Sequence, residues 1–146
     1  LQSDWVNVLQ SLPTFSSQRI SFCSMLGFSY YVDKEAFSSL LHILHGLLPQ
    51  GSSLAFDYPA APEKGGQLDE RNARQAQLAR EANAEIHAEY SFMEMEKTLE
   101  ESGFLAYEHL RPQEINSAFF DAYNAANPRQ PRRALGNTNF CLAVRA

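Results

Sequence analysis

From Asp33 the apolar residues Phe37, Leu40, Leu41, Leu44, Leu47 and Leu48 fall on one face of a 3.6-residue period, and Pro49-Gln50-Gly51 stops the run. Short apolar segments flank this helix. Before it, Arg19-Ile20-Ser21-Phe22-Cys23-Ser24 alternates apolar and small polar residues and runs into Gly27, as a strand entering a loop does. After it, Ser52-Ser53-Leu54-Ala55-Phe56-Asp57-Tyr58 is a buried-strand pattern that opens into a loop at Asp57-Tyr58-Pro59. A strand, a helix of this length and a second strand predict two parallel strands joined by a right-handed crossover. That unit is the strongest constraint the chain places on its own fold.

The remaining segments extend the same grammar. Trp5, Val8, Leu9 and Leu12 predict a short amphipathic helix over Ser3 to Leu12, capped by Ser3 or Asp4 and ended by Pro13. Residues 59 to 66 form a loop rich in Pro, Gly and Ala, and the polar, alanine-rich stretch Gln67 to Ala88 predicts a surface or lid helix, so 59–90 reads as an insertion. Ser91-Phe92-Met93-Glu94 has capping-box spacing, with Phe92, Met95 and Leu99 as the stripe of the helix it starts and Gly103 as its stop. Phe104 to Leu110 reads as a strand, Pro112 opens a helix carrying Ile115, Phe119 and Tyr123, and Asn139 to Val144 is a final strand. Four strands alternating with about five helices predict an α/β three-layer fold. A sheet this small leaves the strand Arg19 to Ser24 exposed along one edge, so a partner or further strands are expected there.

Charge and cysteine usage narrow the function classes. Twelve basic against seventeen acidic residues give a net charge of −5, which excludes a general phosphate-binding surface and argues against nucleic acid as a partner. The one basic cluster, Arg129, Arg132 and Arg133, sits among prolines and reads as a solvated loop. Cys23 and Cys141 lie within strand patterns and behave as small hydrophobes, expected reduced. No apolar run reaches the roughly 18 residues that span a bilayer, so a cytoplasmic chain without membrane contact is expected. Leu1 opens directly into a helical pattern, as a truncated chain would. His42 and His45 have metal-ligand spacing but no third ligand, and Ser24 lacks the flanking glycines of a nucleophile elbow, so neither a metal centre nor a hydrolase is expected.

Two motifs carry a family resemblance. Phe22-Cys23-Ser24-Met25-Leu26-Gly27-Phe28-Ser29-Tyr30-Tyr31-Val32, followed by Asp33-Lys34-Glu35, and then Leu48-Pro49-Gln50-Gly51-Ser52-Ser53-Leu54-Ala55-Phe56-Asp57-Tyr58, resemble in order and spacing the fourth and fifth strands of class I S-adenosylmethionine-dependent methyltransferases of the leucine carboxyl methyltransferase-like family. Glu101-Ser102-Gly103-Phe104 and Asn139-Phe140-Cys141-Leu142-Ala143-Val144 are similar to its later turn and terminal strand. The resemblance implies the C-terminal half of a Rossmann-like sheet, strands four to seven, with the last antiparallel. Residues 1–146 would then be a partial methyltransferase domain without the glycine-rich turn and the ribose-binding acid of the cofactor site.

On this resemblance the cofactor is S-adenosylmethionine, with S-adenosylhomocysteine as product, and the contacts it carries over are Leu1, Ser24, Met25 and Leu26. Leu1 reads equally as a frayed terminus, and Leu26 stands where many relatives have a glutamate. The acceptor, a small molecule or carboxylate taking the methyl group on oxygen, is expected near Tyr30, Tyr31, Asp57 and Tyr58 at the C-terminal ends of the strands. The tyrosines could equally pack with a wet hydroxyl, and Asp57 could cap the loop after it. No residue is assigned as catalytic, because in-line methyl transfer can run on proximity and orientation. The alternative function is a non-enzymatic α/β module that pairs through its open sheet edge.

Overall fold

The computed structural model describes residues 4–61, 74, 77 and 87–146. In chain order the elements are α1 (Trp5–Ser11), β1 (Phe22–Met25), α2 (Lys34–Leu47), β2 (Ser53–Pro59), α3 (Phe92–Glu101), β3 (Phe104–Leu110), α4 (Pro112–Ile115), α5 (Asp121–Ala126) and β4 (Thr138–Arg145). A single 3₁₀ turn, Ser29–Tyr31, precedes α2, and a π-helical turn, Asn116–Phe120, joins α4 to α5. The strands form one sheet in the order β1-β2-β4-β3. The strands β1 and β2 are parallel, with Phe22 opposite Ser53, and β4 inserts antiparallel to both β2 and β3.

Local chemistry explains the element ends. The Asp33 carboxylate accepts the Ala36 N–H at 2.7 Å and caps α2. Ser91 and Glu94 exchange both hydrogen bonds of a capping box, at 3.2 and 2.8 Å, so α3 starts where its sequence signature placed it. Gly103 follows α3 with φ +81°, where a side chain would meet the imidazole of His45 as well as the strain of the left-handed region. Two sequence expectations shift. The first strand begins at Phe22, not Arg19, because Arg19 N–H closes a turn onto the Ser16 carbonyl and pairing with β2 starts only from Ser21. Asp4 sits at the start of α1, but its carboxylate accepts from the Asn7 side chain and not from a backbone N–H.

One face of the sheet carries the core. Leu54, Phe56 and Tyr58 of β2, Cys141 and Ala143 of β4 and Phe104 of β3 alternate onto that face, and Phe37, Leu41 and Leu44 of α2 with Met95 and Leu99 of α3 cover it. The periodicities of 2 and 3.6 meet there, and this shared apolar burial is the main source of stability. The opposite face follows the other parity of the strands, and Phe22 and Leu105 are exposed on it. The strand β1 is an edge strand.

The expected surface or lid helix over 67–88 falls mainly outside the described residues. Arg74 and Gln77 are helical, whereas His87 and Ala88 belong to no helix. The chain returns beside the end of β2, where Tyr90 N–H donates to the Pro59 carbonyl and His87 N–H to the Tyr30 carbonyl, at 3.0 and 2.9 Å. Ala61 and His87 therefore both lie near the C-terminal end of the parallel pair.

Candidate functional site

At that end lies a cavity of about 440 Å³, lined by Gly27, Tyr30, Tyr31 and Asp57 on the β1 and β2 side. Ile115, Phe119 and Phe120 form a second wall, and Arg133, Leu135, Thr138 and Phe140 a third. Three of the four residues expected to meet an acceptor thus converge on one space. The fourth does not. Tyr58 neighbours Asp57 on β2 and so points to the other face, where it is fully buried.

Asp57 organises the loop after β1. Its Oδ1 accepts the Gly27 N–H at 2.6 Å, and its carbonyl accepts the Ser29 hydroxyl at 2.7 Å. Gly27 has φ +69°, and nothing lies within 4 Å of where its Cβ would be, so open space and left-handed backbone coincide at this turn. Asp57 therefore fixes the path of residues 24–29 from the neighbouring strand. Tyr30 shares a hydrogen bond with the Thr138 hydroxyl at 2.9 Å, tying the same loop to β4. Burial pushes the Tyr30 hydroxyl up to about 12, partly offset by the Thr138 hydrogen bond and helped by the charge of Asp57. At neutral pH it stays protonated and serves as a hydrogen-bonding group.

The second and third walls were not legible as a site. Ile115 and Phe119 read as one helical stripe, but the wider π-helical turn rotates the residues after Ile115, which leaves Ile115 buried and Phe119 exposed. Asn116 Oδ1 accepts the Ala134 N–H at 2.7 Å, and Asn124 pairs with both backbone groups of Arg132, so the proline-rich loop is clamped to this helix. Arg133, expected in a solvated loop, consequently lines the cavity. The doublet Phe119-Phe120 was the available signal, because two consecutive rings cannot share one face of a regular α-helix.

The cofactor candidates are arranged differently. Ser24 and Leu26 are exposed at the edge strand and the turn after it, Leu26 at 71%. Met25 is half-buried against the core, which follows from the same alternation that turns Phe56 inward beside it. Leu1 lies outside the described residues. Ser24 and Leu26 are exposed beside the open space over Gly27, and these residues alone do not enclose a ligand.

A second polar cluster lies across the sheet. The Tyr58 hydroxyl accepts from Asn139 Nδ2 at 2.9 Å and shares a second hydrogen bond with Nε2 of His109, whose Nδ1 is buried without a partner among the described residues. Phe92 stacks on that imidazole at 3.5 Å between centroids, and the Arg111 guanidinium covers Phe92. Burial, reinforced by Arg111, lowers His109 to about 4, so it is neutral near pH 7. Of the histidine pair on α2, His42 bonds the Ser38 carbonyl and His45 lies edge-on to Phe104.

In sequence the chain is 38% identical over 103 residues to YktD of Bacillus subtilis (strain 168), which carries the name S-adenosyl-L-methionine-dependent methyltransferase; the match covers 68% of this chain and 33% of YktD. In structure it is similar to LaPhzM, with TM-score 0.56 and 13% identity over 100% of this chain and 34% of that one. The mitomycin 7-O-methyltransferase MmcR gives TM-score 0.55 and 14% identity, covering 94% of this chain and 32% of the other. No family model matches the chain. The chain spans about a third of the length of the relatives it matches. Its sheet, with an antiparallel last strand inserted beside the parallel pair, is accordingly the C-terminal part of the fold of S-adenosylmethionine-dependent methyltransferases.

Proposed function

We propose that these residues form the C-terminal part of the catalytic domain of an S-adenosylmethionine-dependent O-methyltransferase acting on a small molecule or carboxylate, of the leucine carboxyl methyltransferase-like type. The 38% identity to YktD over 103 residues carries the activity, and the two strand motifs support the finer family. The cavity supports an acceptor site, because ligands in open α/β sheets bind beyond the C-terminal ends of the strands. S-adenosylmethionine supplies an electrophilic methyl group on a sulfonium. The residues here orient: Asp57 holds the loop bearing Ser24 and Leu26, Tyr30 and Thr138 present hydroxyls, and the aromatic walls offer apolar contact. Acidic net charge and free cysteines suit a cytoplasmic enzyme.

A second reading, a non-enzymatic module that pairs through β1, is favoured by the exposed Phe22 at 68% on that edge. On the methyltransferase reading the same edge takes the remaining strands of the domain. The two separate in one experiment on the full-length protein, calorimetric titration with S-adenosylhomocysteine followed by transfer of labelled methyl groups to a panel of carboxylic acids and phenols. Saturable binding and transfer are expected. Absence of both would sink the methyltransferase reading and leave the pairing module. For residues 1–146 alone, weak binding of S-adenosylhomocysteine is expected, since only one wall of its site is built here.

A further inference from the structure

The chain pairs its aromatic rings in the core, whereas around the cavity only Tyr30 and Tyr31, 6.5 Å apart, form a ring pair among the described residues. Phe37 packs on Phe56 and Tyr90 at 5.5 and 5.9 Å, and Tyr58 packs on Tyr90 at 6.0 Å. Among the described residues no ring contact joins Phe119, Phe120 or Phe140. Phe119 and Tyr31 are 59% and 57% exposed, and Phe140 is 37% exposed. Single exposed rings are ordinary, but these three border one concavity. The π-helical turn is what brings the doublet there, since its wide ring lets both Phe119 and Phe120 reach the same space.

A space of about 440 Å³ is the size of a small-molecule site. Ring faces and edges prefer offset or edge-to-face contact with another aromatic ring over an equal area of flexible aliphatic chain. The polar groups of the lining include the Tyr30–Thr138 hydroxyl pair, Asp57 and Arg133, so a ligand with a polar end would be oriented by them. We propose that this cavity selects a planar aromatic acceptor and that Phe119 and Phe120 are specificity-determining residues for it; naming the ligand an acceptor rests on the methyltransferase reading above.

The test uses the full-length protein and two probes of equal carbon count, 2-naphthoate and undecanoate, titrated by calorimetry. Naphthoate is expected to bind at least about tenfold tighter, and Phe119→Leu with Phe120→Leu to reduce that preference by about tenfold. Because Phe119 is exposed, Phe119→Leu alone serves as a second variant that keeps the fold. Equal or tighter binding of undecanoate, binding of neither probe, or naphthoate affinity unchanged in both variants would overturn the proposal. S-adenosylhomocysteine titrated in parallel separates the two failures. If it binds while naphthoate does not, aromatic selection alone is lost. If naphthoate binds while S-adenosylhomocysteine does not, the methyltransferase reading fails and takes the acceptor assignment with it.

Discussion

Beneath α2 and α3, Phe37, Phe56, Leu99 and Phe104 are sealed from water in one cluster, whereas Phe119 of the π-helical turn, Phe140 of β4 and Tyr31 of the 3₁₀ turn stand half open around a cavity. Both regions are rich in aromatic residues. They differ in who supplies the partner. In the core every apolar side chain faces another from the same chain, and the alternation of strands and the stripe of a helix are sufficient to specify the match. At the cavity the backbone departs from regular geometry, in a left-handed glycine, a 3₁₀ turn and a π-helical turn, and the rings it presents have room for something else. The first region is filled by its own chain, and the second is where we propose that a ligand supplies the partner.

The comparison breaks most visibly under truncation. Phe37→Ala should destabilise the protein by about 3–5 kcal/mol, because it removes ring contacts with Phe56 and Tyr90 and leaves a sealed cavity; urea unfolding measures this, and a loss under about 1 kcal/mol would show that α2 does not close the core. Gly103→Ala should cost about 1–3 kcal/mol, from left-handed strain together with collision against His45, and a thermal melt reads it directly. Ser91→Ala removes half of the capping box and should cost about 1 kcal/mol, with faster amide exchange confined to the first turn of α3.

Acid probes the polar cluster that adjoins the core. His109 is held neutral in the folded protein at about 4 and takes a proton near 6.5 when unfolded, so its contribution is complete above about 6.5 and is lost as the pH falls from there toward 4. Urea midpoints of the parent protein should drop between pH 7.5 and pH 5 more than those of His109→Gln. Equal drops would mean that other groups govern the acid limb. At the small end, Phe119→Leu should change stability by no more than about 0.5 kcal/mol, since its ring supports no other residue of the core. A loss comparable to that of Phe37→Ala would erase the distinction between the two regions.

Periodic elements were legible because their signal is local. The stripe Phe37 to Leu48, the Ser91–Glu94 box and the run Phe104 to Leu110 each need only neighbours in sequence, and all three elements lie where those patterns put them. The strand Arg19 to Ser24 was drawn too early, because where pairing begins depends on hydrogen bonds to Ser52 and Ser53, some thirty residues away. The candidate site was half legible. Tyr30 and Tyr31 follow β1 and Asp57 lies near the end of β2, which sequence can locate, and the alternation along β2 that sent Asp57 to the cavity and Tyr58 to the core was itself written in the pattern.

By itself the sequence determined an α/β chain with two parallel strands joined by a capped amphipathic helix, and a face of the sheet on which apolar residues must meet. Only the tertiary structure decided that β4 enters between β2 and β3, that a π-helical turn swings Phe119 and Phe120 toward one space, and that Arg133 comes to line it. The physical reason is range. Helical and strand periodicity record burial that each element seeks on its own, while a cavity is the shape left over between elements, set by hydrogen bonds such as Asn116 to Ala134 and Asp57 to Gly27 that join residues distant along the chain.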